Sequence, residues 1–160
     1  MLPNSKLYLH GDGCCREKQH VTKLIKERRL ENNVFIKPFE ENCDKLYRNM
    51  GMLLIPSQSF ESFGLTVVEA MAMSVPIVST NVGGPAEIII HSGGGILCSP
   101  KDSKSFAEAI IYVLQNNERA ADMGKCGRCH YEKKFTAKAM CNSYYCLLKS
   151  LGKSDFGKQI

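Results

Sequence analysis

Two carboxylates are the first residues in this chain with chemistry to offer. Glu61 and Glu69 stand eight positions apart in "ESFGLTVVEAMAMSVP", residues 61–76, with Phe63-Gly64 between them. An ionised carboxylate only accepts hydrogen bonds, and sugar hydroxyls are natural donors to it. Phe63-Gly64-Leu65 opens a predicted helix over 64–73, so its backbone N–H groups fall in a first turn that has no intrahelical partners. The helix dipole adds partial positive charge there, and a phosphate is the natural occupant. Gly64 lets a ligand approach the backbone with no Cβ in the way. Were the segment wholly helical, the two carboxylates would lie roughly 12 Å apart along the axis, the scale of a diphosphate with a sugar on either side. The same spacing fits a plainer arrangement, with Glu61 as a helix cap and Glu69 as a solvent-facing helical residue.

Short apolar runs alternate with longer amphipathic ones along the chain. Strands are predicted at 6–9, 33–36, 52–55, 76–80 and 95–98, and helices at 15–30, 41–50, 64–73, 102–115, 118–130 and 136–150. Residues 86–90 read as a short helical turn or an extended piece. The strands are continuously apolar, the pattern of strands buried on both faces, and their alternation with helices implies parallel βαβ units. The expected fold is α/β, a doubly wound parallel sheet with C-terminal helices. Such folds bind ligands beyond the carboxyl ends of their strands, where this chain carries "HGDG", "KPF", "PSQSFESFG" and "STNVGG".

The totals fit one domain over residues 1–160. No apolar run approaches the ~18 residues of a bilayer span, and no secretory signal is visible, so the expected location is cytoplasmic. The net charge of +5 is mild, and the densest basic cluster, "KLIKERR" at 23–29, reads as a solvated helix face. No nucleic-acid partner is expected. Eight cysteines are expected as reduced thiols. Cys14, Cys15, Cys43 and Cys98 read as small apolar fillers.

Two further strings compete for attention. Gly11-Asp12-Gly13 is a partial phosphate-loop signal that lacks a third glycine, and its plainer meaning is a tight strand exit on the ligand edge. Cys126-Gly-Arg-Cys129-His130 matches the haem-attachment string, and with Cys141 and Cys146 it could begin a zinc set. Haem attachment needs export, and zinc needs four thiols to converge from two helices. Unpaired helix thiols are the simpler expectation, and no metal or cofactor is assigned. His20, His91 and His130 read as surface or packing residues.

The stretch "PSQSFESFGLTVVEAMAMSVPIVSTNVGGPAEII", 56–89, resembles the C-terminal half of the family 4 retaining glycosyltransferases, which have the two-domain GT-B architecture. The signature is a Glu, seven residues, then a Glu, followed by a strand and a Gly-Gly-x-x-Glu loop, here Gly83, Gly84 and Glu87. "KLYLHGDG", "NNVFIKPF" and "KKFTAKAMCNSYYCLLK" extend the resemblance across about residues 1–150. It implies a Rossmann-like half of a GT-B fold that binds a nucleotide-sugar donor, UDP-, GDP- or ADP-linked. Glu61 would be the catalytic-site carboxylate on the donor sugar. Ser62, Phe63, Gly64 and Leu65 would meet sugar and phosphate, and Glu69 would take the ribose hydroxyls. Backbone around Phe35, Lys37 and Pro38 would frame the base. Gly11, Gly13, Gly83 and Gly84 would lie on the ligand edge. The implied reaction retains anomeric configuration and needs no obligatory metal.

The chain departs from the family pattern at its start. It opens on what looks like the second strand of the donor domain, without the Arg and Lys that usually precede it and without an N-terminal acceptor domain. Arg16 and Lys18 follow the "HGDG" turn but no motif assigns them to phosphate. The expectation is a donor-binding domain that is inactive alone and completed by an acceptor domain in cis or in trans. The alternative is a non-catalytic nucleotide-sugar-binding subunit of a split glycosyltransferase. Peripheral association with the inner face of a membrane is a further expected partner relation.

Overall fold

The structure is a computed structural model and describes residues 5–151. The chain divides into two compact units, residues 1–46 and 47–160.

The first unit is a βαβ turn. Strand β1 (Leu7–His10) pairs in parallel with β2 (Val34–Lys37), with Tyr8 opposite Phe35 and His10 opposite Lys37. Helix α1 (Cys15–Glu27) connects them. Its entry is a capping box in which the Glu17 carboxylate accepts the Cys14 backbone N–H at 3.0 Å. Helix α2 (Cys43–Tyr47) starts in this unit and is half the length that the pattern at 41–50 predicts. The Asn42 side chain accepts the Lys45 N–H at 3.0 Å at its head, and Met50 N–H closes onto the Tyr47 carbonyl at 3.0 Å.

The second unit holds a three-stranded parallel sheet, in the order β3 (Leu53–Ile55), β4 (Ile77–Thr80), β5 (Gly95–Cys98). Helix α3 (Leu65–Ala72) makes the first crossover and α4 (Gly83–Ser92) the second. Helices α5 (Ser103–Gln115), α6 (Asn117–Lys134) and α7 (Ala137–Leu151) follow. The strict strand–helix alternation and the parallel pairing are as expected. The strands hydrogen-bond as two ladders, however, with β1 and β3 each pairing on one side only among the described residues. The segment 86–90 is a full helix, because Gly83 enters at φ 60° and Pro85 sits in the first turn, where its missing N–H costs nothing.

Strand β4 is buried along its whole length and carries the core. Val78, Cys98, Ala109 and Val113 are buried together, with Leu54, Ile96, Phe106 and Met123 packed around them. A fully buried Val or Ile here contributes about 1.5–3 kcal/mol. Asp102 caps α5 by accepting the Ser105 N–H at 3.0 Å. The cysteine expectation holds for Cys98 alone. Cys14, Cys15 and Cys43 are exposed, because they stand at or before the first residues of α1 and α2 rather than on packed faces.

Helix α6 packs against the end of α3 through two glycines. Gly124 and Gly127 are its buried residues, and a Cβ on Gly124 would overlap the Ser74 carbonyl. A Cβ on Gly127 would meet Met71 Cγ at 3.1 Å. The string "CGRCH" lies on this helix. The packed face belongs to the glycines, and Cys126, Cys129, Cys141 and Cys146 are all exposed free thiols. No group that could hold a metal ion occurs among the described residues.

Candidate functional site

The site is built on the carboxyl end of β3 and the turn into α3. Thr80, 2% exposed at the end of β4, donates its hydroxyl toward the Ser57 carbonyl at 2.5 Å, with the Ile55 carbonyl at 3.3 Å. That holds the chain as it leaves the sheet. The Ser57 hydroxyl donates in turn to Glu61 Oε2 at 3.2 Å. Glu61 is half-buried, so this bond fixes a carboxylate that already has limited freedom.

The backbone of the same loop lies against the head of α4. The Gly84 N–H donates to the Glu61 carbonyl at 3.0 Å. A Cβ on Gly83 would overlap Glu61, and one on Gly84 would come 2.5 Å from the Ser62 carbonyl oxygen and 2.7 Å from Phe63 Cα. Of the glycines expected on the ligand edge, Gly83 and Gly84 are thus the seat of the 61–63 loop. Only residues without a Cβ let two backbones approach so closely.

Gly64 is buried, adopts the left-handed conformation at φ 85°, and is the N-cap of α3. A Cβ there would come 2.6 Å from Pro85 Cγ. The helix therefore begins one residue later than the run 64–73 predicts, and Phe63 lies outside it. No side chain caps α3. The N–H groups of its first turn are offered at the positive end of the helix dipole, with no acidic side chain in that turn. Leu65 and Phe63 are exposed, and the Phe63 ring meets Phe135 edge-on at 6.1 Å. An uncapped helix start flanked by two held carboxylates can accept a phosphate between two sets of hydroxyl donors.

Glu69 is half-buried one turn into α3. Tyr47, 2% exposed, donates its hydroxyl to Glu69 Oε2 at 2.9 Å. The structure thus brings Glu61, Ser62, Phe63, Gly64, Leu65, Glu69, Gly83 and Gly84 into one unit around one helix end.

Phe35, Lys37, Pro38, Gly11 and Gly13 belong to the first unit. There the Gly11 N–H donates to the Lys37 carbonyl at 3.2 Å, and His10 Nδ1 lies 3.3 Å from the Pro38 carbonyl. The exit of β1 is in this way tied to the exit of β2. Phe35 stacks on Tyr8 at 5.4 Å, and the Lys37 ammonium lies 6.0 Å from the Tyr8 ring. Gly11 takes a positive φ of 138°, which suits glycine at that turn, while Gly13 faces Glu17 at the start of α1. Lys18 pairs with Asp12 at 3.3 Å in an exposed position, and Arg16 is exposed on α1.

Sequence reading missed Tyr47, Ser57 and Thr80. Tyr47 lies within the helix predicted at 41–50, and its hydroxyl gave no periodic signal. Ser57 and Thr80 lie 23 positions apart and meet only because β3 and β4 are neighbours. Beside the site, a groove of about 430 Å³ opens at the strand ends between Pro56, Gln58, Thr80, Lys101 and Phe106. Among the described residues, no helix is long and apolar enough to cross a membrane.

Comparison with known proteins gives the same architecture. Residues 1–130 match the family model described as glycosyl transferases group 1. The chain is 33% identical over 141 residues to the N-acetyl-alpha-D-glucosaminyl L-malate synthase of Bacillus anthracis, covering 88% of this chain and 36% of that protein. It is 33% identical over 130 residues to the mouse (Mus musculus) alpha-1,3/1,6-mannosyltransferase ALG2, covering 79% of this chain and 31% of the relative. It therefore spans about a third of the length of the curated relatives it matches. Among solved structures, Anabaena Alr3699/HepE in complex with UDP superposes with a TM-score of 0.84 at 25% identity, over 92% of this chain and 42% of that one. These neighbours are glycosyltransferases of GT-B architecture. The chain belongs to the glycosyl transferases group 1 family.

Proposed function

We propose that this chain is the donor-binding part of a retaining glycosyltransferase, which moves a sugar from a nucleoside diphosphate to a hydroxyl acceptor. The observation that carries the reading is the uncapped start of α3, set between Glu61 and Glu69 and seated on Gly83 and Gly84. The amides of the first turn of α3 take the distal phosphate. Glu61, held by Ser57, accepts hydroxyls of the donor sugar, and Ser62 and Phe63 line the approach. Glu69, held by Tyr47, accepts the ribose hydroxyls. The leaving diphosphate is stabilised by these amides and by cations rather than by a resident metal. The UDP bound in the Anabaena neighbour supports a nucleotide donor.

Acceptor recognition falls to a further domain, joined in cis or supplied in trans, so this chain alone binds donor and does not transfer sugar. Peripheral membrane association belongs to the same reading. The exposed side of α7, with Met140, Tyr144, Leu147 and Leu148 beside Lys138 and Lys149, suits an anionic surface.

The test is a titration with UDP, GDP and ADP, followed by amide shifts. One nucleoside diphosphate binds, and the largest shifts fall within 61–69 and 83–84. Shifts confined to other segments, or none with any of the three, would sink the reading.

A further inference from the structure

We infer that Tyr47 is a positioning residue that sets the ribose-binding geometry of Glu69; the inference rests on the proposed ribose role of Glu69. Tyr47 is 2% exposed and lies in the same unit as Glu69. Its hydroxyl stands 2.9 Å from Glu69 Oε2 and 3.4 Å from the Thr66 carbonyl. A phenol carries one proton, so it can serve one of these acceptors fully. The shorter contact, to an ionised acceptor, is the stronger, and it takes the proton. Glu69 itself is only half-buried, on the open side of α3, where a free glutamate would sample several rotamers.

The consequence is a carboxylate held in place before any ligand arrives. A carboxylate has about four lone-pair sites across its two oxygens, and Tyr47 uses one on Oε2. The remaining sites can meet a vicinal diol without the side chain having to be ordered by the ligand. Preorganisation of this kind raises affinity by removing an ordering cost. Tyr47 does not touch the ribose. It sits at the last residue of the short helix α2, so the length of α2 decides where the hydroxyl lies.

The bland alternative is that Tyr47 merely fastens the end of α2 to α3. The two differ in what they do to ligands with and without ribose hydroxyls. The experiment is calorimetric titration of the chain, of Tyr47→Phe, of Glu69→Ala and of the double variant, with UDP and with 2′,3′-dideoxy-UDP. If GDP or ADP is the nucleotide bound, the matching pair of analogues is used. Tyr47→Phe keeps the buried ring and removes only the hydroxyl, and circular dichroism checks that each variant is folded.

The expected result is that Tyr47→Phe weakens UDP about tenfold and leaves the dideoxy analogue unchanged. In the Glu69→Ala background the same change should have no further effect. Equal weakening of both ligands, or an undiminished effect without Glu69, would overturn the positioning role and leave the ribose role of Glu69 standing. Unchanged UDP affinity in Tyr47→Phe would do the same. If Glu69→Ala preserves the preference for UDP over the dideoxy analogue, or if the chain binds no nucleotide, the ribose reading itself fails and Tyr47 falls with it.

Discussion

Gly84 donates its N–H to the Glu61 carbonyl at 3.0 Å, and its neighbour Gly83 lies so close beneath Glu61 that no side chain fits between them. The two glycines and the glutamate are 22 and 23 positions apart, yet they form one surface. A loop that would otherwise be free is laid down on the head of a helix. This contact decides where the Glu61 carboxylate can point.

Gly84→Ala is therefore expected to disrupt the site. Its Cβ would come 2.5 Å from the Ser62 carbonyl oxygen and 2.8 Å from the Phe63 carbonyl oxygen, and backbone cannot rotate away as a side chain can. Gly83→Ala adds a strained positive φ to the same overlap. Each should lower stability by about 1–3 kcal/mol, read from urea unfolding midpoints. Each should also weaken nucleoside diphosphate binding more than its stability loss alone explains.

Ser57→Ala removes the 3.2 Å hydrogen bond to Glu61 and little else. In the proposed reading, the nucleotide half of the ligand does not depend on it. Affinity for a nucleoside diphosphate should stay within about twofold, while affinity for the nucleotide sugar should fall about tenfold, the worth of one hydrogen bond to a charged group. Paired titrations with UDP and UDP-sugars measure the difference. A parallel loss in both would remove Glu61 from the sugar.

The helical glycines of α6 make opposite demands on intuition. Replacing a helical glycine by alanine usually gains about 1 kcal/mol. At Gly124 the added Cβ would overlap the Ser74 carbonyl and lie 3.0 Å from its carbon. Sterics win, and Gly124→Ala should lower the melting temperature. Cys126→Ser and Cys129→Ser change exposed thiols and should stay within about 0.5 kcal/mol of the parent. A large loss from the cysteine changes would reinstate a structural role for those thiols.

Burial holds His130 below its ordinary value, with the charges of His91, Lys134 and Lys133 acting in the same direction. Its ring packs edge-on to Phe135 at 5.4 Å. The folded pKa lies below the unfolded value of about 6.5, so the unfolded chain takes up a proton first as pH falls. Stability should then be full above about pH 6.5 and decline as pH drops through that value toward the folded pKa. His130→Gln should flatten this part of the curve of unfolding midpoint against pH.

Much of the fold was legible in the sequence, for reasons visible at particular residues. Ile77 to Thr80 are continuously apolar or small because β4 is covered on both faces, and that pattern survives in one dimension. The placement of Glu61, Gly64 and Glu69 about one helix start was legible because it is set by local geometry, a helix start and its first turns. The length of α2 was not, since Leu46 and Met50 keep helical spacing beyond the residue where the helix stops. Tyr47 and Thr80 were hidden because their partners, Glu69 on α3 and the Ser57 carbonyl past β3, are more than 20 positions away, and Ser57 because its bond to Glu61 lies in an irregular loop with no periodic signal. The division into two ladders was hidden too, since strand pairing is a long-range property that no local run encodes.

Helix α3 is seated at both ends on residues without side chains. Gly83 and Gly84 receive the loop at its entrance, and Gly124 receives Ser74 just beyond its exit. A bare seat tolerates no added atoms but is indifferent to what the opposite face of the helix carries. Under the proposed donor role, the exposed side chains of Ser62, Phe63, Leu65 and Thr66 are the places to alter donor preference while the helix stays in register, so long as these glycines are left untouched. A library built that way separates what the protein must keep in order to fold from what it can change in order to choose a different sugar nucleotide.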